Sequence, residues 1–285
     1  MKTTKIMLNL AVLLGFFSAK AHAQFPNAWQ INDNSTATGS TLNYYTNLTA
    51  AQFDAAITNG WRFTITCRMV TNYGSANGAM YLLFGDGTNR YGFNLNLDSS
   101  GRLVVNPLVG SQVVVTPDAS TATNYHTHEL DFDPATQQVT YFFDGAPLAN
   151  WSAQAINADA GEPVWGSVSS ADKGEMNFHR VQFEIIGQGT VASYYAGFDG
   201  NPAVAPSPTT QGWTRFSGGV SIPEGPVSPD GLAAPPLVTT LAASALSASN
   251  ATLGAVLYPG SGPTVYYFEY GTTTNYGNFS ATNTV

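Results

Sequence analysis

Short runs in which apolar and polar residues alternate, each closed by turn residues, constrain the fold of this chain most. In the run 61–70 every second residue is apolar, from Trp61 to Met69. A period of two is typical of a strand that packs one face against a core. Turn-forming residues follow later runs at 85–87 and 98–101. Such strands recur about every ten residues, which predicts an all-β sandwich or barrel.

One segment predicts a helix inside this β-pattern, over residues 49–57. Thr49 is a suitable N-cap, and Gln52 stands three residues later, where a capping box requires it. Gly60 follows the end of the segment, as is common after helices.

Charge and cysteine content exclude several kinds of protein. The 285 residues include ten basic and 18 acidic side chains, a net charge of −8. Such an acidic surface repels phosphate backbones, so we expect no nucleic-acid partner. Cys67 is the only cysteine. This excludes an intramolecular disulfide framework and a Cys-rich zinc site, and we expect the thiol to be buried and inert.

Residues 1–23 have the layout of a secretory signal peptide. A basic start precedes an apolar core over 6–17, and the small residues Ala21 and Ala23 precede a cleavage site before Gln24. The apolar core is too short to span a bilayer comfortably, and no other stretch approaches about 18 apolar residues. We therefore expect a secreted or cell-surface protein without a membrane span.

The remainder divides into three parts by composition. Residues 24–187 carry the first β-pattern, and 188–236 are rich in Pro and Gly, which predicts a linker to which edge strands could contribute. Residues 237–285 carry a second β-pattern of three or four strands. A seven-strand sandwich needs about 100 residues. We therefore expect this chain to be part of a longer protein with further domains.

The hairpin over 125–145 resembles the central hairpin of concanavalin A-like and laminin G-like jelly rolls. An aromatic–His pair at 125–126 opens one strand, and a Tyr-x-x-Asp-Gly sequence closes the next at 141–145. The strand over 177–184 is similar to the closing strand of this fold in modules attached to bacterial sialidases and other secreted glycan-degrading enzymes. The resemblance implies that 24–187 form a concanavalin A-like jelly-roll sandwich of two antiparallel sheets. That fold hosts lectins, adhesion modules and hydrolases alike.

The segment from Val238 to Thr273 is similar to the first half of fibronectin type III-like modules in large bacterial exported proteins. The resemblance implies a partial immunoglobulin/fibronectin III-like sandwich for 237–285, which would act as a spacer. The strands of the second half are missing from the sequence, which supports the expectation of a longer chain.

Three carboxylates offer a catalytic alternative. Glu129, Asp131 and Asp133 alternate, so they share one face of a strand. The resemblance extends to concanavalin A-like glucanases, whose Glu-x-Asp-x-(x)-Glu strand holds a nucleophile, a tuning Asp and an acid/base. Asp133 stands where that family has its last Glu, and it precedes Pro134. The other interpretation is a solvated outer face of a hairpin strand.

Metal binding has two sets of candidates. Asp86, Asp98 and Asp144 lie beside glycines in expected turns. Carboxylates suit Ca²⁺, but Asp is also common in turns because it bonds to nearby backbone groups. His126 and His128 alternate on one strand face, and a pair without a carboxylate beside it makes an incomplete metal site. The resemblance places His126 in the strand-opening pair, where it is structural.

Sugar binding is predicted from aromatic residues, because the face of a pyranose packs against a ring. Trp151 follows Asn150, and Trp165 lies between a proline and a glycine, so both occur in loop-like contexts. We expect Trp151, Trp165 and Asn150 to form a glycan platform.

These observations favour a secreted, non-catalytic carbohydrate-binding or adhesion module of a larger extracellular protein, with a glycan or polysaccharide as partner. The sequence has no Ser-His-Asp nucleophile motif and no phosphate loop. Two alternatives stay open: a glycoside hydrolase acting through Glu129 and Asp133, and a structural surface protein that binds protein partners.

Overall fold

The computed structural model describes residues 9–15, 27–35, 40–73, 80–155, 161–168, 173–197, 205–227, 237–240, 252–258, 265–271 and 278–284. The first elements in chain order are β1 (Asn9–Gly15), β2 (Ala28–Asp33), β3 (Thr41–Tyr45), α1 (Ala50–Asn59), β4 (Trp61–Asn72), β5 (Met80–Gly85), β6 (Asn89–Leu97), β7 (Leu103–Pro107), β8 (Val113–Val114), β9 (His126–Asp133), β10 (Gln138–Phe143) and β11 (Ala146–Ser152). There follow β12 (Gln154–Ala155), β13 (Val164–Ser167), β14 (Gly174–Ile185), β15 (Gly189–Tyr195), a 3₁₀ turn (Pro208–Gln211), β16 (Thr214–Gly218), β17 (Glu224–Val227), β18 (Leu237–Thr240), β19 (Ala255–Tyr258), β20 (Val265–Gly271), β21 (Asn278–Phe279) and β22 (Asn283–Thr284).

The chain divides into two compact units, one of which, Pro26–Leu232, is a sandwich of two antiparallel sheets. Sheet I has the strand order β11-β10-β9-β4-β14-β2-β17, and β15 pairs with β14 beyond the end of β2. Sheet II has the order β16-β3-β13-β5-β6-β7-β8, and β12 pairs with β6. The predicted all-β sandwich with a jelly-roll-like arrangement is confirmed.

The alternation predicted for β4 builds the centre of the core. Trp61, Phe63 and Ile65 are fully buried. The ring of Trp61 lies 5.1 Å from that of Phe84 on β5, measured between centroids, and 5.5 Å from that of Phe132 on β9. Since β5 belongs to sheet II and β9 to sheet I, these ring contacts join the two sheets.

The predicted helix is present as α1, and its N-cap is as expected. Thr49 accepts a hydrogen bond from the backbone N–H of Gln52 at 3.2 Å, and its own N–H donates to the Gln52 side chain at 3.0 Å. Gly60 follows the helix with a φ of 96°. A Cβ at Gly60 would lie 2.7 Å from the carbonyl oxygen of Phe132. Glycine is therefore required where the chain leaves α1 for β4.

The segment 188–236 contains the edge strands that the sequence allowed, and they belong to the sandwich. β15 and β17 from this segment pair into sheet I and β16 pairs into sheet II, so the sandwich extends well past residue 187. Proline and glycine conceal β17 in the sequence. Pro226 lies in β17, an edge strand, where its missing N–H breaks no ladder.

The second unit comprises Met1–Phe25 and Ala233–Val285. In it β20 pairs with β1, β21 and β22, and β18 pairs with β19. β1 lies within the predicted signal peptide, and the predicted cleavage site at 23–24 lies outside the described residues. The leader and the fibronectin type III-like label therefore stay predictions. No helix in the part of the chain that the structure describes is long and apolar enough to cross a membrane.

Candidate functional site

The outer face of sheet I carries the carboxylates considered for catalysis. Arg62 on β4 contacts Asp131 at 2.6 Å and Glu129 at 3.2 Å. Thr64 also donates a hydrogen bond to Glu129 at 3.0 Å. Burial raises the pKa of Glu129 against the opposing effect of Arg62. Both carboxylates are thus tied to neighbours on β4.

Asp133 has a separate place at the end of β9. Its carboxylate accepts hydrogen bonds from the backbone N–H of Ala135 at 2.8 Å and from the hydroxyl of Thr136 at 3.0 Å. These bonds shape the turn between β9 and β10. The position at the end of the strand agrees with the turn expected before Pro134.

The predicted glycan platform is corrected by the burial of its rings. Trp165 is fully buried in β13, between β3 and β5, and stacks on Tyr44 with 4.7 Å between centroids. Trp151 is 6% exposed and stacks on Tyr141 at 5.0 Å. Both rings are core residues, so neither offers a face to a sugar. Asn150 is exposed on the edge strand β11.

The three aspartates considered for Ca²⁺ all bond to protein groups, Asp86 and Asp98 within their own turns and Asp144 to the start of β9. Asp86 accepts two backbone N–H groups at 2.9 and 2.6 Å. Asp98 forms an ion pair with Arg102 at 2.6 Å, and Asp144 bonds to His126 at 2.8 Å. Within the described ranges no three His, Cys, Asp or Glu side chains lie close enough to hold a metal ion.

The outer face of sheet II carries a row of polar and aromatic side chains across six neighbouring strands. These residues are directly opposite one another in the ladders, and on the four inner strands β3, β13, β5 and β6 their strand neighbours are buried. We call this set the amide row: Phe216, Asn43, Gly166, Tyr81, Asn94 and Asn106.

The amide row combines exposed and recessed groups. Phe216 at one end is 52% exposed, whereas Asn43 and Asn94 are 9% and 5% exposed although they point away from the core. The side-chain oxygen of Asn94 and the side-chain nitrogen of Asn106 are buried and have no hydrogen-bond partner within the described part of the chain. Buried polar groups are normally paired. These amides therefore mark a place where another polar group would be stabilised.

Gly166 interrupts the row between Asn43 and Tyr81. It has a φ of 117°, and a Cβ there would lie 2.8 Å from the carbonyl oxygen of Leu42. Sequence reasoning missed this row. Its signal is the alternation of asparagines with buried residues in β3, β6 and β7.

Arg90 and a pocket lie at one end of sheet II. Arg90 is partly buried on β6, opposite Gly85 of β5 and Gln154 of β12. Because it is four residues from Asn94 on the same strand, it lies on the same face as the amide row.

The pocket, of about 330 Å³, lies beside the start of α1. It is lined by Asn47, Leu48, Ala50, Phe53, Gly161 and Glu162.

Comparison with protein families identifies the first unit. A family model described as the lectin insertion of the Vibrio cholerae sialidase matches residues 23–222. The chain belongs to this family. The match covers well over half of the chain and includes the strands from β2 to β16, which agrees with a sandwich that continues past residue 187.

Curated relatives of this lectin-insertion chain are sialidases of Vibrio cholerae serotype O1, from the classical Ogawa 395 and El Tor Inaba N16961 strains. Each is 32% identical over 173 residues, which is 58% of this chain and 20% of the relative. The match therefore spans about a fifth of each sialidase.

Solved structures are similar at a lower level. A Bacteroides ovatus protein assigned to carbohydrate binding has 13% identity and a TM-score of 0.38, over 70% of this chain and 60% of that protein. A heptameric SAP-like pentraxin from Limulus polyphemus has 11% identity and the same TM-score, over 70% of this chain and 94% of the pentraxin. At this level neither structure indicates what this chain binds.

The two strand histidines of the lectin-insertion sandwich have structural partners. His126 bonds to Asp144 at 2.8 Å and to the carbonyl oxygen of Thr121 at 2.9 Å. Burial opposes its charged form, but these two bonds outweigh burial and raise the pKa of His126. His128 is fully buried and bonds to the Tyr141 hydroxyl at 2.7 Å, and burial lowers its pKa to about 3.

The raised pKa of His126 predicts a pH-dependent contribution to stability. The protonated ring stabilises the fold below its unfolded pKa, about 6.5, and this contribution is lost as the pH rises through the higher folded value. The pKa of Asp144 is lowered, so Asp144 stays ionised throughout this window. We expect His126→Gln to lower the melting temperature more at about pH 5.5 than at about pH 8.5. Thermal melts at both pH values measure this, and an equal loss at both would contradict it.

Proposed function

We propose that this chain is a carbohydrate-binding module that holds an acidic sugar of the sialic acid type on the outer face of sheet II. The observation that carries the proposal is the amide row, with Arg90 on the same face, in a chain of the sialidase lectin-insertion family. The curated relatives are sialidases, and sialic acids carry a carboxylate. The guanidinium of Arg90 on this face suits such a group.

The proposed contacts follow from the chemistry of these side chains. Amides donate and accept hydrogen bonds, so Asn43 and its neighbours in the amide row suit sugar hydroxyls. The exposed ring of Phe216 suits the apolar face of a pyranose. A guanidinium matches a carboxylate with two parallel hydrogen bonds, which gives Arg90 the largest effect on affinity.

We propose that the module is non-catalytic. Glu129 and Asp131 are both paired with Arg62, and Asp133 is engaged in its turn. We further propose that residues 1–23 export the chain, that the module acts outside the cell or at the cell surface, and that 237–285 is a spacer toward further domains. In a longer chain, several such modules would raise a modest affinity through multivalency.

Replacing Arg90 tests the proposed function. We expect Arg90→Gln to weaken binding of the α-methyl glycoside of N-acetylneuraminic acid about tenfold or more, because a charged hydrogen bond is worth about 1.5–3 kcal/mol. Calorimetric or NMR titration of the full chain measures this.

Arg102→Gln is the matched control, because Arg102 forms its ion pair with Asp98 of its own turn. It should bind the glycoside as the unmodified chain does, and circular dichroism should show both variants folded. Equal affinity of Arg90→Gln and the unmodified chain would contradict the role of Arg90. No binding by the unmodified chain would contradict the proposed function itself.

A further inference from the structure

We propose that His126 is a pH-operated latch: while its ring is protonated it ties the crossover 116–125 to sheet I, and once the ring loses a proton the crossover is released. The crossover leads from β8 of sheet II to β9 of sheet I. The latch does not involve Arg90 or the amide row, so it is independent of the sugar site proposed above.

Both ring nitrogens of His126 face groups that can only accept hydrogen bonds. Nδ1 lies 2.8 Å from a carboxylate oxygen of Asp144, and Nε2 lies 2.9 Å from the carbonyl oxygen of Thr121. A neutral imidazole carries one N–H, whereas the protonated ring carries two. Both bonds therefore form together only when the ring is protonated.

Loss of the proton breaks the bond to Thr121 and leaves the bond to Asp144. Because the Asp144 carboxylate is a charged acceptor, it keeps the one remaining N–H of the ring. Its other oxygen accepts from the backbone N–H of Thr127 at 2.8 Å, which fixes its position. The unprotonated Nε2 then directs a lone pair at the Thr121 carbonyl oxygen, and two acceptors at this distance repel each other.

The middle of the crossover is a turn that bonds to itself. The backbone N–H of Thr121 donates to the Asp118 carbonyl at 3.3 Å, and that of Asn124 donates to the Thr121 carbonyl at 3.0 Å. Ala122 in this turn is fully buried and belongs to the core. Loss of the bond from His126 would therefore let the turn move as a unit and uncover the core beneath Ala122.

The titratable groups beside His126 do not change charge in this pH range. Burial lowers the pKa of His128 to about 3 and raises that of Cys67, which is opposite His126 on β4, so both are neutral. Burial opposes the charge of Asp144, but its bond to His126 outweighs burial and lowers its pKa. The pKa of Asp118 in the crossover is lowered because a backbone N–H of its own turn donates to it. Both carboxylates therefore stay ionised.

The direction of the change follows from the pKa of the ring. Burial opposes the protonated form, but the bonds to Asp144 and Thr121 outweigh burial and raise the pKa of His126. The latch is therefore closed below the ordinary histidine value, about 6.5, and opens as the pH rises through the higher folded value.

Hydrogen–deuterium exchange of the full chain, followed by mass spectrometry, tests the latch. Exchange times are scaled to the intrinsic rate at each pH, and peptides from α1 serve as the internal reference. We expect the protection of peptides within 116–125 to fall about tenfold or more between about pH 5.5 and about pH 8.5, because the hydrogen bond that is lost has a charged donor. Protection that is the same at both pH values would overturn the proposal.

Asp144→Asn distinguishes a latch from a merely structural contact. Asparagine can keep its oxygen on the Thr127 N–H and turn its NH₂ group toward Nδ1, so that a neutral His126 accepts at Nδ1 and donates from Nε2 to Thr121. The variant should stay closed at both pH values, with protection that differs by less than about twofold. Asp144 has a φ of 47°, a conformation that asparagine also adopts.

Asp133→Asn is the matched control, because Asp133 accepts hydrogen bonds in the turn at the far end of β9 from His126. The same change from carboxylate to amide should there leave the fall in protection at about tenfold or more. Circular dichroism should show both variants folded. A fall in Asp144→Asn as large as that in the unmodified chain would overturn the assignment of His126 and Asp144 as the latch.

Discussion

Replacing Trp61 with alanine is expected to lower the free energy of unfolding of the sandwich by about 3–5 kcal/mol. The side chain is fully buried at the start of β4. Its removal takes apolar contacts from both sheets at once and leaves a cavity that surrounding rings cannot easily fill. The rings that lose a partner, with centroids 5.1 to 5.9 Å away, are Phe84, Tyr91, Phe132 and Phe183.

Trp61→Phe is the matched control for this effect. The indole N–H of Trp61 is buried without a hydrogen-bond partner in the described part of the chain, and phenylalanine removes that group while it keeps a ring. We expect a loss of about 1 kcal/mol, much smaller than for alanine. Urea unfolding followed by near-ultraviolet circular dichroism compares the two variants. A loss below about 1 kcal/mol for Trp61→Ala would contradict this account of the core.

Replacing Glu224 with alanine is expected to cost about 3 kcal/mol of stability. Its carboxylate on β17 accepts a hydrogen bond from the Trp29 indole at 3.2 Å and from the Tyr44 hydroxyl, and it pairs with Arg215. Tyr44 and Arg215 lie on β3 and β16 of sheet II, whereas β17 belongs to sheet I. The carboxylate therefore links the two sheets, and alanine would leave buried donors unpaired.

Glu224→Gln separates the charge of this group from its shape. Glutamine keeps one oxygen acceptor in the same position but loses the ion pair, so we expect about half the loss seen with alanine. Burial and the neighbouring carboxylate together raise the pKa of Tyr44. A stability unchanged by Glu224→Ala would contradict the linking role.

Local patterns predicted the elements whose signals lie within one segment. The alternation of β4 and the capping box of Thr49 and Gln52 are both present as expected, because each depends on residues only two or three positions apart. The turn roles of Asp86 and Asp98 belong to the same class, since their partners lie within four residues.

Tertiary packing decided the positions that the sequence misassigned. Trp165 appeared to lie in a loop because a proline and a glycine flank it, yet β13 is a short inner strand that stacks it on Tyr44. Gly166 lies within this strand with a positive φ, a conformation that residues with a side chain rarely adopt. The prolines of 188–236 likewise concealed β17, because an edge strand tolerates a residue without an N–H.

The amide row could not be predicted from the sequence as a unit. Its members come from six strands, and Asn43 and Asn106 are more than sixty residues apart in the chain. Only the order of strands in sheet II brings them side by side. The sequence indicates which residues alternate outward, whereas the sheet order determines which of them are neighbours.

The first and last strands of the sandwich, β2 and β17, lie side by side, with Ala28 opposite Val227. Paired residues in an antiparallel ladder have Cα atoms about 5 Å apart. The two ends of this unit are therefore neighbours in space. A host protein could carry such a unit spliced into a surface loop without its own loop ends being forced apart. The pairing of β2 with β17 at the edge of sheet I is therefore compatible with insertion of the module inside another chain as well as with attachment at a terminus.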